Sequence, residues 1–222
     1  MRIMRITIQF VLGIFILVFG INLMIRSQIG PAPWDTFTYH LHILLNTTLG
    51  ISAFIVQVFL ITIILLARKS WQYLYIFASI ITISVSFDFW DIIVFQDYYP
   101  ATLWLRLMLY MTGIILLSFG LGLVVLTRFK ATVVDEIMLL YMDIFKTKNV
   151  FVTRILTEST GLIFGLLTAF VAGLGLGIIN AGTIFVTLTL PFVLSLQMRW
   201  MTPIFEVKKP LIINSEELVN KL

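Results

Sequence analysis

Gly13-Ile-Phe-Ile-Leu-Val-Phe-Gly-Ile-Asn-Leu23 returns 100 residues later as Gly113-Ile-Ile-Leu-Leu-Ser-Phe-Gly-Leu-Gly-Leu123. Without a gap, Gly13, Ile14, Leu17, Phe19, Gly20 and Leu23 fall on identical residues at 113, 114, 117, 119, 120 and 123. Shared apolar composition explains part of this match. Two glycines with the same spacing in both copies are harder to obtain that way. The same offset lays Asp35 on Asp135, each in the stretch after its apolar run. The chain therefore reads as two copies, residues 1–100 and 101–201, followed by a polar tail, 202–222.

Composition says what surrounds these copies. The chain has 222 residues, of which 60% are apolar and 12% charged. Soluble domains have about 45–50% apolar and about 25% charged residues, so an ordinary soluble domain is excluded and the bilayer is the expected solvent. Zero cysteines exclude a disulfide scaffold, thiolate zinc sites and cysteine catalysis. A bilayer core about 30 Å thick needs about 20 apolar residues per helix. Six stretches qualify: 6–25, 50–67, 73–95, 104–126, 152–173 and 181–198. The first is too long for a signal-peptide core, and no small-residue cleavage site follows it. With a cytoplasmic N-terminus, 13 of the 15 basic residues face inward, leaving only Arg26 and Arg106 outside. That asymmetry is the positive-inside pattern. It places both termini in the cytoplasm and accounts for the net charge of +4 without nucleic acid as a partner.

Three spans per half invert the second copy relative to the first, an arrangement many secondary transporters use with their sites at the repeat interface. The expected fold is all-α: six transmembrane helices as two inverted three-helix repeats, each with a short amphipathic or re-entrant helix after its first span. Gly13, Gly20, Gly113 and Gly120 lie near one face of their helices and read as packing positions, because small residues let backbones approach in lipid. A homodimer through these faces and a monomer both stay open.

The short helices carry the aspartates. Gly30-Pro-Ala-Pro-Trp-Asp35 precedes a helical pattern over 33–46, with Pro33 suited to the first helical position and Asp35 in the first turn. The counterpart runs over 131–145, with Asp135 near its start. Neither is long enough to span. Each either lies flat at the interface or re-enters as a half-helix lining a cavity, and the flat placement is the expectation. Capping is the ordinary role for Asp35 and Asp135; a gate or proton carrier is the sharper one.

Ionisable residues inside spans are costly and mark functional sites. Arg154 and Glu158 are one turn apart on the fifth span and within reach of each other. Asp88 sits one turn deeper than Asp91 on the third. Asp35, Asp88, Asp135, Arg154 and Glu158 are thus the candidates for binding substrate or protons. Gln57, Asn22 and Asn180 read as hydrogen bonders between helices, and His40 and His42 as interfacial residues, not metal ligands. The turn Gly173–Gly177 lacks the Gly-Lys-Ser/Thr of a phosphate loop. No hydrolase or metalloprotease motif occurs. An enzyme, a metal and a cofactor are not expected.

These segments resemble the YczE/YyaS/AitC group of small bacterial membrane proteins, related to YitT. Gly30-Pro-Ala-Pro-Trp-Asp35 matches in part that group's Gly-x-Gly-Pro-Trp-Asp-like element. In the second half Asp135 is kept, while Val133 and Val134 replace Gly-Pro. Arg154 with Glu158, Asp88, and Gly182-Thr183 followed by Pro191 also match, and the resemblance covers about residues 5–198. It implies a transporter-like protein of the bacterial cell membrane. It also implies structural or gating roles for Gly30, Pro33, Trp34, Gly182, Thr183 and Pro191.

The expected function is a secondary transporter, an ion- or proton-coupled exporter of a small organic compound. The alternative is a non-transporting scaffold that docks a biosynthetic or regulatory partner on its basic inner surface.

Overall fold

The computed structural model describes residues 2–70, 73, 76–96, 98–127, 132–147 and 149–206. The helices are α1 (Arg2–Ser27), α2 (Pro33–Leu45), α3 (Leu49–Arg68), α4 (Phe77–Asp88), α5 (Leu103–Leu126), α6 (Val133–Ile144), α7 (Val150–Val171) and α8 (Ala181–Phe205). No strand occurs among the described residues. α4 runs on without a break into a π-helical segment, Phe89–Phe95. With that segment counted into α4, six helices are long and apolar enough to cross a bilayer, and they coincide with the six stretches read from sequence. α2 and α6, with 13 and 12 residues, are the two short ones. α8 outruns its expected end: Thr202 to Phe205 complete the helix and do not begin a polar tail. Residues 207–222 of that tail lie outside the described residues.

Local chemistry sets the helix starts. The Thr48 and Thr132 hydroxyls accept the N–H groups of Ile51 and Asp135, and Asn149 accepts those of Phe151 and Val152. Such side chains satisfy donors that the first turn leaves unpaired. Pro33 opens α2, where its missing N–H costs nothing.

α1 and α5 form the central pair, and the four glycines make it. A methyl group on Gly20 would strike the Leu117 backbone nitrogen and come within 2.6 Å of the Gly113 carbonyl. One on Gly120 would strike the Leu17 nitrogen and come within 2.5 Å of the Gly13 carbonyl. The glycine faces are thus covered inside one chain. Around this pair α8 packs on α5, α4 on α1 and α3 on α4, while α7 holds α2 and α6.

α2 departs from the expectation of a flat interfacial helix. Pro33, Trp34, Thr36, Phe37, Thr38 and His40 are all buried. Its partner positions rise together along α7: Trp34 on Gly161, Thr36 on Gly165, and His40 bonded to the Gly165 carbonyl. α2 therefore starts beside the middle of α7 and runs parallel to it. Gly161 and Gly165 explain the fit, since a methyl on either would collide with Trp34 or Thr36.

Candidate functional site

The N-terminus of α2 and the N-terminus of α6 open on one cavity of about 130 Å³. Its walls draw on equivalent positions of the two halves: Leu17 with Leu117, Ile21 with Leu121, and Asp35 with Asp135. α3, α4 and α8 complete it with apolar side chains and Gln57. The charged groups in its lining are Asp35, Asp135, Arg154 and Glu158.

Arg154 is the hub. Its guanidinium donates to Asp135 Oδ1 at 3.1 Å and contacts Glu158 Oε1 at 2.9 Å. The pair with Glu158 is the one expected from their spacing, whereas the bond to Asp135 joins α7 to α6. The Thr132 hydroxyl donates to Asp135 Oδ2 at 2.7 Å and accepts the Asp135 backbone N–H at 3.1 Å. Asp135 is thereby held on both oxygens. Glu158 is 5% exposed, and its Oε2 has no partner.

Asp35 differs from Asp135 in kind. Ala32 stands at the cap of α2 and offers no side-chain bond. Among the described residues the Asp35 carboxyl makes no hydrogen bond or ion pair, and it faces the cavity half-buried. Burial, and after it the Glu158 carboxylate, pushes Asp35 up to about 8. The neighbouring Trp34 is buried with its indole Nε1 unpaired. The site therefore holds three carboxyl groups against one guanidinium, with Asp35 unpartnered, an unpaired Glu158 oxygen and an unpaired indole donor. Two helix N-termini add partial positive charge beside the aspartates.

Next to this site the α1–α2 connection is tied to α8. Gly182 N–H donates to the Ile29 carbonyl at 3.2 Å, and the Tyr110 hydroxyl donates to the Gly182 carbonyl at 2.6 Å. Gly30, at φ +132, lies so close to Thr183 that a methyl would come within 2.6 Å of its backbone nitrogen. Gly30, Gly182 and Thr183 are therefore one junction. Pro191 lies inside α8, one residue after the cavity-lining Leu190, where it removes the backbone bond to Thr187.

Residues 3–199 match a family of unknown function, DUF6198. The chain belongs to that family. Uncharacterized protein YyaS of Bacillus subtilis (strain 168) is 27% identical over 165 residues, covering 74% of this chain and 81% of YyaS. Uncharacterized membrane protein YczE of the same organism is 27% identical over 134 residues, covering 59% of this chain and 60% of YczE. The latter match thus spans less than two thirds of YczE. No solved structure gives a significant match.

In this DUF6198 chain, four of the five candidate charged residues meet at the cavity and Asp88 does not. Asp88 accepts the Gly50 N–H at 2.7 Å and the Thr48 hydroxyl at 3.0 Å, holding the start of α3 against α4. Asp91 pairs with Arg26, whose guanidinium also lies over Tyr99. Asn22 bonds within its own helix, to the Val18 carbonyl, and Asn180 forms a capping box with Thr183 at the start of α8. Asn22 is therefore not the interhelical bond expected, whereas the Asn180 amide also donates to the Gln28 carbonyl at 3.3 Å and ties the start of α8 to the end of α1. Gln57 lines the cavity.

His40 is enclosed by the protein beside the turn between α7 and α8. It is fully buried, with Nε2 accepting the Ile178 N–H at 3.1 Å. Nδ1 must then carry the proton, which it donates to the Gly165 carbonyl at 2.9 Å. Burial lowers its pKa and keeps the ring neutral. The sequence did carry one missed signal, Gly161-Leu-Ile-Phe-Gly165, the small-residue spacing of close helix packing.

Proposed function

We propose that the protein is a secondary transporter of the bacterial cell membrane, built from two inverted halves with both termini in the cytoplasm. The observation that carries this reading is the meeting of two half-helix N-termini on one cavity whose wall alternates between the halves. Discontinuous helices that meet near the bilayer midplane are how inverted-repeat transporters make their sites. Repeated local geometry supports the reading of two copies. Ser27 donates to the Met24 carbonyl and Thr127 to the Val124 carbonyl, both at 2.6 Å. Thr47 N–H donates to the His42 carbonyl and Thr147 N–H to the Met142 carbonyl, at 3.2 and 3.1 Å. Asn46 and Lys146 stop their helices at φ 50 and 49.

In this reading α2 and α6 are re-entrant, Asp35 is the proton-carrying group, and the Asp135–Arg154–Glu158 cluster is the fixed electrostatic floor. The protein carries out no catalysis. Its cargo is a small organic compound, and one chain holds a complete site.

Two experiments on the cysteine-free chain test it. Leu45→Cys and Phe145→Cys, at the exposed ends of α2 and α6, should react with a membrane-impermeant thiol reagent from opposite sides. The Leu45→Cys variant should label in intact cells, and the Phe145→Cys variant in inside-out vesicles. Leu117→Cys, on the cavity wall, should react from both sides, as alternating access requires. Labelling of positions 45 and 145 from one side would remove the inversion. A cavity sealed from both sides would remove transport and leave the scaffold alternative.

A further inference from the structure

We propose that the cavity takes a small organic monocation, an ammonium group on an apolar body about the size of benzene, and that this ammonium and a proton compete for Asp35. The inference rests on the transport reading only in treating the cavity as a cargo site; it adds the chemistry of the cargo.

Size and lining give the body of the ligand. A cavity of about 150 Å³ lined by apolar side chains admits benzene, and this one measures about 130 Å³. Leu17, Ile21, Leu60, Ile83, Leu117 and Leu190 are among its apolar walls. A strongly hydrated or many-hydroxyl compound would leave its polar groups unpaired against these walls. An apolar skeleton is what they accept.

Charge gives the head group. Arg154 is engaged by Asp135 and Glu158, so its guanidinium is not free for an incoming anion. A carboxylate ligand would instead meet Asp35 and the unpaired Glu158 Oε2. A cation meets the opposite situation: Asp35 has no partner, and Glu158, 5% exposed, contributes a second unsatisfied oxygen to the same lining. The Trp34 ring, also in the lining, adds a surface that attracts cations. A bare metal ion fits poorly, since no group of three His, Cys, Asp or Glu suited to one occurs among the described residues.

The titratable groups facing Asp35 are Asp135 on α6 and Arg154 and Glu158 on α7. The lining contributed by α1, α3, α4, α5 and α8 holds none. Asp35 is thus the one carboxyl in the cavity free to change partners. In its protonated form it must release the proton for the ammonium to bind, so each cation loaded expels one proton, with no bond other than O–H broken.

The test is calorimetric titration of the purified 222-residue chain in detergent with cyclopentylammonium, cyclopentanol and cyclopentanecarboxylate, three ligands with one ring and head groups of different charge. Cyclopentylammonium should bind best, weaken as pH falls below about 8, and release up to one proton per chain in the acid range. Asp35→Asn should weaken it roughly 30-fold or more, the scale of losing the partner of a buried charge. That variant is isosteric with the protonated carboxyl, and its thermal transition checks that it folds. Asp35→Glu should restore the preference for the ammonium. Tighter binding of the carboxylate, equal binding of all three, no binding of any, or an unaffected Asp35→Asn protein would overturn the proposal. Failure here with Leu117→Cys reactive from both membrane sides rejects the cargo class and keeps transport. Ammonium binding with a sealed cavity rejects transport and keeps the cation site.

Discussion

Gly20 and Gly120 make the same contact in exchanged roles: Gly20 rests on Leu117 and Gly113, and Gly120 on Leu17 and Gly13. In both cases the atoms in the way of a methyl are backbone, which no rotamer change can move. Gly20→Ala and Gly120→Ala should therefore each destabilise the protein by similar amounts, about 1–3 kcal/mol or more, the range for overpacking. At Gly122 the obstacle is the flexible Met201 side chain at 3.1 Å, so Gly122→Ala should cost clearly less. Thermal denaturation of the three variants in one detergent ranks them.

Asp88 and Asp35 separate by role. Asp88 accepts from Gly50 and Thr48 at the start of α3, so Asp88→Ala should cost about 1–2 kcal/mol, as loss of a cap does. Asp88→Asn, which retains one acceptor oxygen, should cost less. Neither should alter proton release on ligand binding. A loss of proton release in Asp88→Asn with folding intact would place Asp88 on the proton path.

Arg26 and Asp91 form an ion pair with side chains 5% and 16% exposed. Arg26→Ala leaves Asp91 half-buried without its partner and should cost about 3 kcal/mol, while the double variant Arg26→Met with Asp91→Leu should recover most of it. Stability of the single and double variants, measured as a double-mutant cycle, decides this. A double variant no better than the singles would mean that packing around Arg26 matters more than the charge pair.

Asp35 sets a pH dependence. Its carboxyl rises from 3.8 to about 8 through burial and then Glu158. Its contribution is fully present below about pH 4, falls as pH rises toward 8, and is flat above that. The slope is up to about 1.4 kcal/mol per pH unit. Thermal stability in detergent should therefore decline over this window, and Asp35→Asn should remove the decline. A wild-type profile unchanged between pH 4 and 8 would contradict it.

The long helices, their number and the two short helices are legible because bilayer-length apolar runs and first-turn residues are local properties of the chain. The pairing of Arg154 with Glu158 is legible for the same reason, being one helical turn. The bond from Arg154 to Asp135 is not, because it joins two helices whose angle no spacing encodes. Asp88 reads as a site residue when depth along its own helix is the only guide. Its partners Thr48 and Gly50, on α3, turn it into a cap. The burial of His40 is not legible, because its partners lie far along the chain, at 165 and 178.

The sequence by itself determined a membrane protein of six long and two short helices, with glycines placed for close contact. Apolar run length and small-residue spacing act within a single helix and need no partner to be read. Only the tertiary structure decided that α2 and α6 begin at one cavity, and that Asp135 is bound there while Asp35 is free. Whether a carboxylate is satisfied depends on which donors other helices bring within about 3 Å. Those distances arise when α1 closes on α5 and when Gly161 and Gly165 let α2 lie against α7.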